Sequence, residues 1–510
     1  MSEESNFNTL INNYLNEYIQ NSLIQPNIKN ETESSYFLQI SQILKNSQKE
    51  TLQTFFTTLN TIINDYLNKN NQTIYKQSAL TILQKITTLS KFPPEIFTII
   101  YNIILPCFED ITIVPNVIEL LYSLFKTYSN ERENKLIPLI LNKFKGEVLN
   151  IPAYSQSTRH FALLIILELL KEKNYFNNND KNQTDLINII IDCIDEEKDP
   201  RNLLLTFQIV KELISFISNE NLIKTYSNNL YEIISGYYPI NFEPPKNIKN
   251  PITAKQLSDK LNEAISLEIF AEYFFEDINN YDINSVGDIL NTLQIISSTY
   301  SKNLLNKYYE NIFNFIYTNI INNNDEIIHI ECLVTLKIFF KNFLTNYNNN
   351  TNFNNDFNNL IDKLFYENNN IKEAFDAKDI LCIIIEYDNE NNFTISIINA
   401  IIKLISSFLF NNKNLHFLKI SNSLLFFILK KEKISENIEN EMTEILKKNK
   451  KMFLSLINNV NNDNNEINNN NNINNDKINF FSNVINILSA LCLKIKDNKN
   501  LFEIDEIKEI

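Results

Sequence analysis

The chain's three histidines, His160, His329 and His416, are its first candidates for proton transfer or metal binding. They are too few and too dispersed for a catalytic triad or a zinc site. His329 stands in Ile328-His329-Ile330 and reads as a partly buried helix residue. The five cysteines, Cys107, Cys193, Cys332, Cys382 and Cys492, form no CxxC and each sits in an apolar helical context. They read as small core hydrophobes and not as a disulfide framework or metal site. No GxxxxGKS, GxxxxGKT, GxGxxG or HExxH occurs, and three glycines could hardly build a phosphate loop. Among 61 acidic residues no hydrolase pair can be picked out by spacing. The run Asp195-Glu196-Glu197 reads as a solvated helix end. The expectation is no catalysis, no cofactor and no bound metal.

The most specific spacing begins at Asp199-Pro200-Arg201-Asn202. Asp199 can cap a helix whose first position is Pro200, where a missing N–H costs nothing. Leu203, Phe207, Val210, Ile214 and Ile217 then form one apolar stripe. A second helix, about Leu222 to Ser235, ends at Gly236, a residue suited to a left-handed helix terminus. The strap that follows contains Tyr237, Tyr238, Pro239, Phe242, Pro244 and Pro245, and its prolines impose extended backbone. Two uses are open to it: a peptide-docking groove, or a packed strap that fixes a bend between repeats. The next helix opens on Thr253-x-x-Gln256, a capping box. Arg201, beside Glu196, Glu197 and Asp199, is expected to hydrogen-bond between repeats, and its removal to cost about 1–3 kcal/mol if those partners are buried.

Helical periods of 3.6 residues recur along the chain, and period-2 strands are not visible. They mark helices such as Tyr36–Leu44, Thr51–Leu67, Tyr75–Leu89, Val286–Tyr300, Leu304–Ile321, Glu326–Leu344, Ala374–Tyr387, Thr394–Phe410 and Leu415–Leu429. Helix pairs spaced by about 40 residues are the signature of HEAT or armadillo arrays. The expected fold is all-α: a right-handed α-solenoid of irregular HEAT/armadillo-like helical repeats, with a globular bundle as the alternative. The expected organisation is a solenoid over 1–345, an Asn-rich loop at 346–359 and further repeats over 360–460. An Asn-rich low-complexity insertion at 461–475 and terminal helices at 476–510 complete it. Residues 177–182 read as a polar loop.

A formal charge of −15 and only three arginines oppose direct contact with a nucleic-acid backbone. The acidic start is wrong for a targeting peptide, and the longest uncharged apolar-leaning run, Ile478 to Leu493, falls short of a membrane span. A soluble, intracellular protein is expected, with no membrane contact.

The segment from Glu196 to Ile214, followed by Tyr237 to Pro245, Asn250 to Thr253 and a helix with Leu257 and Leu261, resembles the amino-terminal domain of a known family. It is similar to the MMS nineteen nucleotide excision repair protein family, HEAT-repeat adaptors of the cytosolic iron–sulfur protein assembly (CIA) targeting complex. The likeness runs from Ile191 to Phe274 and continues as helix spacing through Leu290–Tyr300 and Glu331–Phe340. It implies a non-catalytic scaffold, cytoplasmic and nuclear, that holds apo iron–sulfur enzymes such as DNA helicases and polymerases for insertion of four-iron four-sulfur clusters. The implied partners include a WD40 propeller protein and a small acidic-motif protein of the same complex. Family members are roughly twice this long, so the resemblance implies that carboxyl-terminal repeats are missing here. A karyopherin-like HEAT-repeat transport receptor is the alternative function.

Overall fold

The computed structural model describes residues 3–24, 34–68, 71–89, 92–146, 148–177, 179–244, 249–281, 283–344, 351–365, 371–388 and 393–401, with a few positions from 420 to 428. Among them every regular element is a helix. The chain divides into two compact units, Met1–Phe270 and Ala271–Ile510.

The first unit contains α1 (Glu3–Ile24), α2 (Ser35–Asn46), α3 (Lys49–Tyr66), α4 (Thr73–Thr87), α5 (Pro94–Ile104), α6 (Val114–Thr127) and α7 (Ile137–Lys143). It continues with α8 (Gln156–Leu169), α9 (Lys173–Phe176), α10 (Asp180–Ile194), α11 (Pro200–Phe216), α12 (Glu220–Ser235) and α13 (Ala254–Ile265). Proline punctuates the starts: α5, α6, α7 and α11 each carry one in the first turn, where no intrahelical N–H is needed. The helices stack in two layers. One runs α4, α6, α8, α11, α13; the other includes α1, α3, α5 and α7, α10, α12. Each helix therefore covers its neighbour one repeat away, as a solenoid requires.

The second unit contains α14 (Ala271–Asp277), α15 (Val286–Thr299), α16 (Lys302–Lys307), α17 (Tyr309–Asn322), α18 (Glu326–Phe343), α19 (Thr351–Phe365) and α20 (Ile371–Tyr387). Here α15, α18 and α20 form one layer, and α17 and α19 the other. The helix expected over Leu304–Ile321 is broken at Tyr308, which separates α16 from α17.

The repeat length is written in the cross-links. Lys76–Asp110, Arg132–Glu172, Lys145–Asp185, Arg159–Glu197 and Gln294–Thr335 join residues 34, 40, 40, 38 and 41 positions apart. Both units are thus all-α arrays of HEAT-like pairs. In α11, Phe207, Val210 and Leu213 face the core, and Ile214 is half-buried. Each fully buried side chain of this kind is worth about 1.5–3 kcal/mol.

Three local expectations are corrected. Residues 351–359, read as part of an Asn-rich loop, belong to α19. Phe353, Phe357, Leu360 and Ile361 recur at i, i+4, i+7 and i+8 and are buried, while Asn355, Asn358 and Asn359 face solvent. The loop expected at 177–182 is shorter, because Asn179 accepts from the Asn182 N–H and starts α10 at Asp180. Gly236 has φ −60, so α12 ends without a left-handed residue. The tract 461–475, the helix Leu415–Leu429 over most of its length, the end of Thr394–Phe410, and Cys492 lie outside the described residues. No helix among the described residues is long and apolar enough to cross a membrane.

Candidate functional site at the proline strap

The loop between α10 and α11 turns on Glu196, whose φ of 55 reverses the chain and sends the next side chain inward. That side chain is Glu197, 2% exposed. Its Oε1 accepts from Arg159 Nη2 at 2.7 Å and from the backbone N–H groups of Lys198 and Asp199 at 2.8 and 2.9 Å. Its Oε2 accepts from Arg159 Nε at 2.8 Å and Asn202 Nδ2 at 3.1 Å. Arg159, on α8, also donates from Nη1 to the Tyr154 carbonyl at 2.8 Å. Asn202 Nδ2 reaches the Gln156 carbonyl at 3.1 Å, and its Oδ1 lies 3.0 Å from His160 Nδ1. One carboxylate therefore ties α8 to α11 across adjacent repeats.

Burial raises the Glu197 carboxyl's proton affinity, but hydrogen bonds from Arg159, Asp199, Lys198 and Asn202 outweigh it and hold the group below the usual carboxylate range. Asp199 is likewise lowered: burial opposes ionisation, and the Arg201 side chain and backbone win. With five donors on its two oxygens, Glu197 has no acceptor position left for a substrate proton. The cluster is built to hold a charge in place.

The expected site residues fall around this knot. Asp199 caps α11, accepting from the N–H groups of Arg201 and Asn202, and Pro200 occupies the first helical turn. Asn202 is fully buried in the cluster. Arg201 differs from the expectation. Its side chain is 60% exposed and pairs with Asp199 on its own helix, while its reach to Gln156 is a marginal 3.5 Å. At this junction it is Arg159 that crosses between repeats; Arg201 points into water because the buried side of the α11 start is filled by Asn202 and Glu197. The solvated reading of Asp195-Glu196-Glu197 fails at its third residue alone, since Asp195 and Glu196 are exposed.

The strap lies against the same junction. Tyr237 donates to the Glu197 carbonyl at 2.8 Å and meets the Phe207 ring edge-on at 5.7 Å. Burial, then the Glu197 charge, pushes its phenol up to about 12. Tyr238, joined to Pro239 by a cis peptide, donates to Asn262 Oδ1 of α13 at 2.9 Å. Pro239, Phe242 and Pro244 are half-buried, and Pro245 lies outside the described residues. The capping box of Thr253 and Gln256 starts α13, as expected. Its two tyrosines thus spend their hydroxyls on this chain's own repeats.

Elsewhere the described thiols are dispersed. Burial pushes Cys107 and Cys332 up to about 12 and Cys382 to about 11, and Cys193 is raised as well. No group of three or more His, Cys, Asp or Glu side chains with metal-binding geometry occurs among the described residues.

A family model described as the Dos2-interacting transcription regulator of RNA-Pol-II, the MMS19 amino-terminal region, matches residues 61–322, just over half of the chain. The chain belongs to the MMS19 family. The matched span contains the whole Glu197 knot, the strap and α13. Curated relatives are called MMS19 nucleotide excision repair protein homologs. The Xenopus tropicalis protein is 27% identical over 194 residues, 37% of this chain and 18% of that protein. The human protein is 32% identical over 123 residues, 23% of this chain and 12% of that protein. The Dictyostelium discoideum protein is 42% identical over 73 residues, 14% of this chain and 6% of that protein. The aligned segments thus span less than a fifth of each of these three relatives. Among solved structures, Kap121p bound to RanGTP is similar over 98% of this chain and 52% of that one, at 12% identity and a TM-score of 0.46. A similarity at that level assigns no transport role.

Proposed function

We propose that this chain is a non-catalytic scaffold serving DNA repair and transcription. More finely, it is an adaptor of the cytosolic iron–sulfur protein assembly targeting complex. It holds apo-enzymes, DNA helicases and polymerases among them, for cluster insertion, beside a WD40 propeller protein and a small acidic-motif protein. Cytoplasm and nucleus are its proposed locations. The observation that carries this reading is the MMS19-family match across residues 61–322, reinforced by relatives named as nucleotide excision repair proteins. The saturated Glu197 carboxylate fits a structural use of the cluster, because a charge without a free acceptor position orients helices and turns over no substrate.

Affinity purification of the full chain from cells tests the proposal. The expected eluate contains the WD40 subunit and iron–sulfur enzymes. An eluate lacking both sinks it, and recovery of a GTP-loaded small GTPase with nuclear pore proteins would favour a transport receptor instead.

A further inference from the structure

Helix α18 is apolar on both sides. Its inward stripe, Cys332, Leu336, Phe339, Phe340 and Phe343, is buried. On the opposite side Ile327, Ile330 and Val334 follow one another at i, i+3 and i+7, and stay 67%, 60% and 44% exposed. Phe375 of α20, 42% exposed, adjoins Asp376, which lies 3.1 Å from His329 of α18. Three neighbouring aliphatic side chains left in water on one stripe mark a surface that another molecule covers.

The chemistry at one end of the stripe narrows the occupant. An open cleft of about 510 Å³ meets the stripe at Ile330 and is lined also by Asn323, Asp325, Glu326, His329 and Lys372. Asp325 and Glu326 are exposed, and neither lies in an ion pair among the described residues. Asp325 spends Oδ1 on the Ile327 N–H as the α18 cap. Lys372 turns its ammonium toward the Ile321 carbonyl and Asn324 Oδ1, at 3.4 Å each. Two carboxylates are therefore available at the rim of an apolar stripe, on a chain of net charge −15. A second copy would bring that same excess of negative charge to the rim, whereas a basic partner is drawn to it. We propose that the α18–α20 face docks an amphipathic helix of a partner protein, apolar along one side and carrying Lys or Arg where it meets Asp325 and Glu326. Helix-in-groove recognition reads such anchors at the same i, i+3, i+7 spacing that α18 presents.

The test uses the full chain with a photo-crosslinking benzoylphenylalanine at Val334, expressed in cells, and sequencing of the crosslinked peptides. The expected product is one peptide from another protein, with apolar residues at helical spacing flanked by Lys or Arg. Glu326→Lys is expected to cut its yield roughly tenfold by placing like charges together. A synthetic peptide of that sequence should bind the purified chain and lose roughly tenfold or more in affinity to Ile330→Asp, with helical circular dichroism unchanged. Crosslinks only to this chain's own residues or to a second copy overturn the proposal, as do no crosslink, or a yield indifferent to Glu326→Lys. The docking surface does not depend on the iron–sulfur assignment: a matching basic helix supports the surface whichever protein supplies it, and the assignment stands or falls on the affinity purification.

Discussion

A carboxylate holding five donors cannot be protonated without breaking part of its cage, so Glu197 ties stability to charge. Glu197→Gln keeps the size and one acceptor oxygen but faces Arg159 with no negative partner. Breaking a buried pair in this way costs about 3–5 kcal/mol, measured as a fall in the urea midpoint at pH 7. Arg201→Ala, by contrast, removes a 60%-exposed partner from Asp199 and leaves the cap in place, so about 0–1 kcal/mol is expected. The acid dependence has a fixed sign. Glu197 is depressed in the folded state, so its contribution is fully present above the unfolded carboxylate value of about 4.3 and is lost as pH falls through the lower folded value. The gap between wild type and Glu197→Gln should therefore close in acid; a gap of constant width from pH 7 to pH 3 would mean the carboxylate does not act through its charge. The Asp199 cap was legible in the sequence because its partners lie two and three residues ahead. Glu197 was not, because the arginine that makes its burial tolerable stands 38 positions upstream, where spacing alone gives no warning.

At the level of the helix, α19 shows composition and periodicity disagreeing. Asn is a poor helix former and crowds 351–359, which argues for a loop. Yet Phe353 and Phe357 keep helical spacing, and tertiary packing settles the outcome. Phe353 meets Tyr309 edge-on at 5.7 Å, Phe343 at 5.4 Å and Phe393 at 5.0 Å. Phe353→Ala is expected to destabilise the second unit by about 3–5 kcal/mol. At exposed Asn355, Ala should be neutral or stabilise by a few tenths of a kcal/mol, since roughly 0.7 kcal/mol is the most that helix propensity offers. Thermal melts of both variants decide the matter: equal and small effects would return 351–359 to a loop. The helices with few asparagines, such as α3 and α11, were readable within two residues at each end because pattern and composition agree there. The strap was half readable. Its prolines announced extended backbone, but the choice between docking and packing depended on where the tyrosine hydroxyls go, and local sequence does not encode that.

At the scale of the whole chain, stability should be local. In a repeat array each helix pair mainly feels its neighbours, so a lesion spreads over one or two repeats and then fades. The two units offer a direct comparison, because the Glu197 knot lies within Met1–Phe270 and the Phe353 cluster within Ala271–Ile510. Hydrogen exchange by mass spectrometry on the intact chain reads this. Glu197→Gln should speed exchange in peptides of α8, α11 and the strap while leaving α17 to α20 at wild-type rates. Phe353→Ala should do the reverse, with α4 to α8 unchanged. Such separation follows from cross-links that reach only about one repeat along the chain, as Arg159–Glu197 and Gln294–Thr335 do. Faster exchange along the whole chain in either variant would instead require one cooperative core shared by both units, and then neither the knot nor the aromatic cluster could be credited with a regional role.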